Sequence, residues 1–243
     1  MNFTRSCVSA ALLTGAFVIP AAACRSSLTA APPPSAAPPA TPPTLRALYG
    51  LHAPTSFDAD RTALVLIDFQ EEFFSGRLPI PDGARAVDRA AELLRWARRT
   101  GISVVHVRNV ARAESPLFAA GSPTVAPVAV LSARDGETVV IKSMAGAFSK
   151  TDLDATLRAR RVDTLVLAGI MTHLAVDTSA RDATVLGYKV VVASDATATR
   201  DLPGIDHATL QRASLAALSD RFADVMTTEA VLAVPVGSDA RPR

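Results

Sequence analysis

The sequence predicts one α/β domain in three layers, with a mostly parallel six-stranded sheet and helices on both faces. Two observations predict it. Apolar residues recur as continuous blocks, such as "TALVLIDF" (62–69) and "TLVLAGI" (164–170), rather than in alternation with polar ones. Continuous blocks mark strands that are covered on both faces. Segments of helical periodicity separate these blocks one by one, as the crossovers of a parallel sheet require.

In order, "TALVLIDF" is the first strand, and "DGARAVDRAAELLRWARRTG" (82–101) is a helix that closes on Gly. "ISVVHVRN" (102–109) is the second strand, followed by a Pro- and Ala-containing loop over about 110–135. "ETVVIKS" (137–143) is the third strand. "SKTDLDATLRARRV" (149–162) is a helix that Ser149 or Thr151 can cap. "TLVLAGI" is the fourth strand and leads into a helix that runs to Gly187. "KVVVASDA" (189–196) is the fifth strand, "HATLQRASLAALSDRFA" (207–223) a helix, and "DVMTTEAVL" (224–232) a last strand and turn.

The residues before 58 differ in kind. "MNFTRSCVSAALLTGAFVIPAAAC" (1–24) carries one positive charge, then an apolar stretch, then small residues. Residues 1–23 read as a secretory signal peptide. The apolar stretch falls short of the about 20 residues that a membrane span needs, and Pro20 interrupts it. "AAAC" resembles the bacterial lipoprotein signal, in which Cys24 would carry the lipid; Ala21 departs from the Leu common there. Lipid anchorage facing periplasm or exterior is the expectation, with plain secretion and an uncleaved anchor as alternatives. Residues 24–57 read as the lipidated Cys and a Pro/Ala-rich tether. The folded domain is expected over 58–235 and a tail over 236–243. Both cysteines, Cys7 and Cys24, precede the domain, so no disulfide, Cys metal site or catalytic thiol is expected within it.

There are 25 Lys and Arg against 23 Asp and Glu, a net charge of +2, and no basic patch stands out. Nucleic acid is therefore not an expected partner, whereas a small-molecule substrate is. Membrane contact is expected only through the N-terminal lipid. The arginines within 89–99 read as a solvated helix face. His52, His106, His173 and His207 show no ligand spacing, and His106 lies inside a strand and reads as core. No metal and no other cofactor is expected.

In open α/β sheets, ligands bind beyond the carboxyl ends of the strands. The first strand delivers Asp68 there, the second Arg108 and Asn109, and the third Lys142. The fourth delivers Met171, Thr172, His173 and Ala175, and the fifth Asp195. Asp68 and Lys142 each follow an apolar run with no other charge, so both heads should emerge at one rim. A carboxylate beside an ammonium is kept ionised or tuned to move a proton. A structural ion pair or a capping Asp would leave the same pattern.

Four stretches, "ALVLIDFQEEFF", "VIKSMAGAFSKTDL", "LVLAGIMTHLAVDTSARDATVLGYKVVVASDA" and "HATLQRASLAAL", together resemble the isochorismatase-like cysteine hydrolases over about residues 58–234. The resemblance implies that fold and the hydrolysis of a small molecule, and leaves the substrate open. It places Asp68 and Lys142 on the family's catalytic Asp and Lys. It places Ala175 on the nucleophilic Cys, and a methyl group cannot attack a carbonyl, so the thioester route is closed. It implies a cis peptide at Ile170–Met171, with the N–H groups of Met171 and Ala175 forming an anion hole at a helix N-terminus. Phe73 or Phe74, Phe148, Thr172 and His173 fall on pocket positions. For the aromatic residues, ordinary packing is the alternative. For His173, a wall or structural role stands beside proton transfer or a polar substrate contact.

The isochorismatases within the family resemble this chain in having a His two positions before a small residue in place of the Cys. They hydrolyse a vinyl ether, which needs an acid and a water but no thiol. Asp68 would be that acid and Lys142 would orient it. The Gln-containing loop expected in those enzymes is not evident in "RNVARAESPLFAAG". Arg181 and Asp182 read as ties from their helix to its neighbours or to a second subunit, and Asp195 as a cap of backbone groups after its strand. Family members commonly assemble, and the Ala-rich helices would permit a homo-oligomer. Two readings follow: an exported hydrolase acting through Asp68, Lys142 and bound water, or a non-catalytic lipoprotein that binds a small ligand or partner on the same fold.

Overall fold

The computed structural model describes residues 42–237. The expected signal peptide, the lipid-bearing Cys24, the tether up to Thr41 and the tail from residue 238 lie outside the described residues.

Helix α1 (Leu45–Leu48) is followed by β1 (Phe57–Asp58), β2 (Thr62–Ile67), α2 (Gly83–Thr100) and β3 (Ser103–Asn109). A long loop with two 3-10 turns, Pro123–Val125 and Ala129–Leu131, leads to β4 (Thr138–Lys142). Then come α3 (Leu153–Ala159), β5 (Thr164–Ile170), a wide helical turn (Thr172–Val176) and α4 (Asp177–Val185). The chain ends with β6 (Lys189–Ala198), α5 (His207–Arg221), β7 (Asp224–Met226), α6 (Thr228–Ala233) and β8 (Val236–Gly237). Six strands form one sheet in the order β4-β3-β2-β5-β6-β7, and every pairing in it is parallel.

The continuous apolar runs are explained by two cores. Leu64, Leu66, Val104 and Val166 face Leu93 and Leu94 of α2 and Val231 of α6. Their neighbours Val65, Val105, Val107 and Leu165 face Leu153 and Leu157 of α3, Ala180 of α4 and Leu218 of α5. All six residues of β2 are buried. Each fully buried Leu or Val contributes roughly 1.5–3 kcal/mol relative to exposure, which a sheet covered on both faces collects from successive residues.

Four expectations change. Residues 228–233 form α6, where a last strand and turn was expected over 224–232: Thr227 Oγ1 caps it by accepting the Ala230 N–H at 3.2 Å. Asp195 Oδ1 accepts the Thr228 N–H at 2.7 Å, so Asp195 caps this distant helix and not groups after its own strand. The stretch read as tether carries α1, and Phe57 is buried with its ring edge-on to Trp96 at 5.6 Å. Val236 and Gly237, read as tail, pair with β1 in a separate two-stranded parallel sheet. These short end segments fold because Phe57 has an apolar site to fill, a fact no local pattern displays.

The topology fixes where a ligand goes. The chain lays β2, β3 and β4 outward in one direction, then returns to place β5 on the other side of β2. Such a reversal opens a crevice at the carboxyl ends of the two central strands. Gly169 sits there because β2 and β5 approach closely. A Cβ on it would lie 2.6 Å from the Ile67 carbonyl oxygen and 2.7 Å from Ile67 Cβ. Gly169→Ala is therefore expected to destabilise the fold by about 1–3 kcal/mol through overpacking against backbone, measured as a lower midpoint in urea unfolding.

Candidate active site

The site is built from the ends of β2, β4 and β5. Asp68 follows the last residue of β2 in a left-handed backbone conformation, φ +55°, which is uncommon for residues other than glycine. Its N–H donates to the Val107 carbonyl at 2.9 Å, holding it against β3. Lys142 ends β4 and reaches past the end of β3, so that Nζ lies 2.6 Å from Asp68 Oδ2. The same ammonium donates to the Met144 carbonyl at 3.1 Å. Asp68 and Lys142 are each only 3% exposed. Burial is the largest influence on the Asp68 carboxyl and, against the pull of Lys142, lifts it to about 6.

The third part is the turn after β5. The Ile170–Met171 peptide is cis. The Met171 carbonyl then accepts two N–H groups, from Leu174 at 3.1 Å and Val176 at 3.2 Å, which winds the first turn wider than an α-helix. Met171 and Ala175 stand in this turn, both buried. Ser179 Oγ donates to the Ala175 carbonyl at 2.6 Å and accepts the Ala147 N–H at 2.9 Å. The Ala175 turn is thereby joined to the segment that follows Lys142.

Orphaned polar atoms gather at this rim. Among the described residues, eight buried side-chain polar atoms have no hydrogen-bond partner. Five lie at or just past the carboxyl ends of β2, β3, β5 and β6: Asp68 Oδ1, Arg108 Nε, Asn109 Oδ1, Thr172 Oγ1 and Arg200 Nε. Buried polar groups are costly to leave unpaired, so their concentration here suits a polar ligand. A depression lined by Arg112, Glu114, Ser115 and Ser143 opens beyond the ends of β3 and β4.

Other expected site residues have structural partners. His173 is half-buried and its Nδ1 hydrogen-bonds Thr199 Oγ1. Burial and then Arg200 lower its pKa, against Asp177. Phe73 is in the core, edge-on to Phe118 at 5.3 Å, and Phe148 packs on Tyr188 at 5.9 Å. Arg181 bonds Asp177 at 2.7 Å within α4 and lies 4.3 Å over the Phe222 ring, joining α4 to the end of α5. His106 is buried against Glu137 at 2.8 Å. Burial would raise the Glu137 carboxyl, but bonds from Arg98, the Arg134 N–H and His106 outweigh this and hold it at about 2. Among the described residues, no group of three or more His, Cys, Asp or Glu is arranged to hold a metal ion.

Gln70 was not singled out by pattern, although it follows the strand end within "LIDFQ". Fully buried, it donates from Nε2 to the carbonyls of Asn109 at 2.9 Å and Val125 at 2.8 Å. Its Oε1 accepts the Asn109 N–H at 2.8 Å. One amide thus clamps the loop after β3 beside Asp68. Gln70→Ala leaves three backbone groups unbonded. It should cost about 2–4 kcal/mol, read by chemical denaturation, with faster amide exchange at Asn109.

Comparison with known proteins identifies the family. The isochorismatase domain family matches residues 62–230. A secreted isochorismatase effector of Verticillium dahliae is 33% identical over 186 residues, covering 76% of this chain and 97% of that protein. A maleamate amidohydrolase of Pseudomonas putida is 32% identical over 187 residues, covering 70% of this chain and 84% of that protein. The crystal structure of a cysteine hydrolase from Pseudomonas syringae superposes with a TM-score of 0.72 at 29% identity, covering 79% of this chain and 96% of that one. Small-molecule substrates are typical of the family, as the maleamate amidohydrolase illustrates, and the chain belongs to the isochorismatase-like hydrolase family.

Proposed function

We propose that this chain is an exported hydrolase that cleaves a small molecule by acid chemistry, with Asp68 as the acid, Lys142 as its orienting partner and water as the nucleophile. The buried Asp68–Lys142 contact carries this reading. Its carboxyl is raised to about 6 by burial, and its Oδ1 has no partner among the described residues. General acids work best with a pKa near the working pH. Ala175 occupies the position that the resemblance gives to the family Cys, so no acyl-thioester forms there. A vinyl ether suits what remains. Asp68 donates its proton to the terminal carbon of the double bond, and water adds to the resulting oxocarbenium carbon. The proton lost by that water returns to the carboxylate. The hemiketal then breaks its C–O bond to release an alcohol and a ketone. The N–H groups of Met171 and Ala175 would hold a negatively charged part of the substrate. Export is supported by the signal-like N-terminal pattern and by the secreted relative; a lipid on Cys24 remains part of this proposal.

A second reading, a binding protein without catalysis, draws on Ala175 and on the 3% exposure of the pair, which leaves substrate little access as it stands.

The test offers isochorismate and small amides to the full chain while pyruvate and ammonia are followed, with Asp68→Asn in parallel. Pyruvate release that the variant loses by about a hundredfold or more supports the acid mechanism. Ammonia release that depends on Asp68 would sink it, and no product from any substrate favours the binding protein. The pH dependence has a definite sign: a carboxyl with a pKa of about 6 is protonated below that value. The rate should be level below pH 6 and fall about tenfold per unit above it. Ala175→Cys should gain ammonia release from small amides, and titration with iodoacetamide should abolish the gain.

A further inference from the structure

A second cavity lies at the opposite edge of the sheet from Asp68. Thr164, Lys189 and Asp224, the first residues of β5, β6 and β7, line it. Its volume is about 560 Å³, within the range of small-molecule sites. Val190, Val191 and Phe222 supply apolar wall, and Leu51, Ala53 and Pro54 line it from the irregular segment that joins α1 to β1. Residues 52–56 of that segment make no hydrogen bond among the described residues. The segment is held at its ends. On one side, Arg46 pairs with Asp224 at 2.5 Å and the Leu45 N–H bonds Asp220 at 2.9 Å. On the other, Phe57 is locked in the core.

The charge of the lining is one-sided. Arg46, Lys189 and Arg221 stand against one carboxylate, Asp224, which Arg46 already neutralises. Lys189 and Arg221 form no salt bridge among the described residues, and Arg221 lies 5.2 Å over the Tyr49 ring. An independent observation adjoins the cavity: of the ten exposed large apolar side chains among the described residues, four are Leu45, Leu48, Tyr49 and Leu51. Leu48 is 66% and Tyr49 67% exposed. Apolar surface of this kind, grouped and rimmed by cations, marks a site of contact rather than chance exposure.

We propose that this cavity binds an anionic amphiphile. Its chain would lie between residues 51–56 and the Val190–Phe222 wall, and its carboxylate or phosphate would meet Lys189 and Arg221. An unbonded strap can lift to admit a chain without breaking hydrogen bonds, and the exposed leucines and Tyr49 extend the apolar path to the mouth. Asp163 is within electrostatic reach of Lys189, but neither Lys189 nor Arg221 has a carboxylate in salt-bridge contact among the described residues, so an anionic head suits the rim better than a purely apolar ligand does.

The experiment titrates the full chain with sodium laurate, kept below its micelle concentration, by isothermal calorimetry. Acetate and dodecanol serve as the head and the chain alone. The Lys189→Glu/Arg221→Glu variant is run alongside, since both residues are exposed and circular dichroism verifies its fold. It retains the same N-terminal segment, so laurate held by that segment would bind both proteins equally. Saturable laurate binding, weakened about tenfold or more by the double reversal and not reproduced by acetate or dodecanol, establishes the site. Absent laurate binding, or equal affinity in both proteins, overturns it. Flotation with phosphatidylglycerol vesicles identifies the source. Capture by vesicles together with monomer binding makes a membrane lipid the ligand, and monomer binding alone makes it a free amphiphile. Vesicle capture without monomer binding overturns the cavity in favour of surface adsorption.

Discussion

A carboxylate and an ammonium share the carboxyl end of this sheet with almost no water around them. Removing each ion from water costs several kcal/mol, which only close contact and further hydrogen bonds offset. Here the contact is 2.6 Å, and the Met144 carbonyl takes another of the ammonium's protons. The surrounding architecture follows from keeping this arrangement closed. Lys142 must sit on a strand two places from β2 and span the end of β3, which fixes the length of β4. Gln70 must hold the loop after β3 in place, or the dry rim would open beside Asp68. The Ser179 hydroxyl ties the Ala175 turn to the segment just past Lys142, so three separate strand ends move as one unit.

The sheet was legible in the sequence because burial on both faces writes itself as uninterrupted apolar runs. β5 coincides with its expected range, 164–170, and β2, β3 and β4 differ from theirs only at the ends. Asp68 and Lys142 were legible for the same reason, since a lone charge closing an apolar run has few places to go. What stayed hidden depends on partners distant in sequence. His106 and Glu137 are 31 residues apart, and Arg98 and Glu137 are 39 apart. No periodicity announces that such groups will meet. Within "DVMTTEAVL" (224–232), read as a last strand and turn, β7 takes only Asp224–Met226, and the Thr227 cap and Asp195 decide for a helix after it. Gln70 shows the limit most clearly: nothing in a single letter distinguishes a buried amide that satisfies three backbone groups from a surface one.

Family membership and residue chemistry are to be weighed together at the turn after β5. The fold, the order of its parts and the switch point between β2 and β5 are those of the isochorismatase-like hydrolases. Ala175 nevertheless offers a methyl group at the head of the turn. In the proposed reading, a buried acid held close to its partner and a turn with backbone donors would be sufficient for chemistry in which water attacks. They are also sufficient for holding a ligand without changing it, so substrate turnover, rather than the scaffold, has to separate the two.

The contact between Phe57 and Trp96 gives the protein an internal optical gauge. Trp96 is the only tryptophan in the chain, and it is buried on α2 with Phe57 at 5.6 Å. Phe57 belongs to the strand that pairs with Val236 and Gly237, so one indole looks out on the seam where the beginning and the end of the described chain meet. Its emission therefore reports a local event, the undocking of that seam, as well as loss of the whole core. A fluorescence transition that precedes the circular dichroism transition would reveal that the small two-stranded sheet lets go before the six-stranded one.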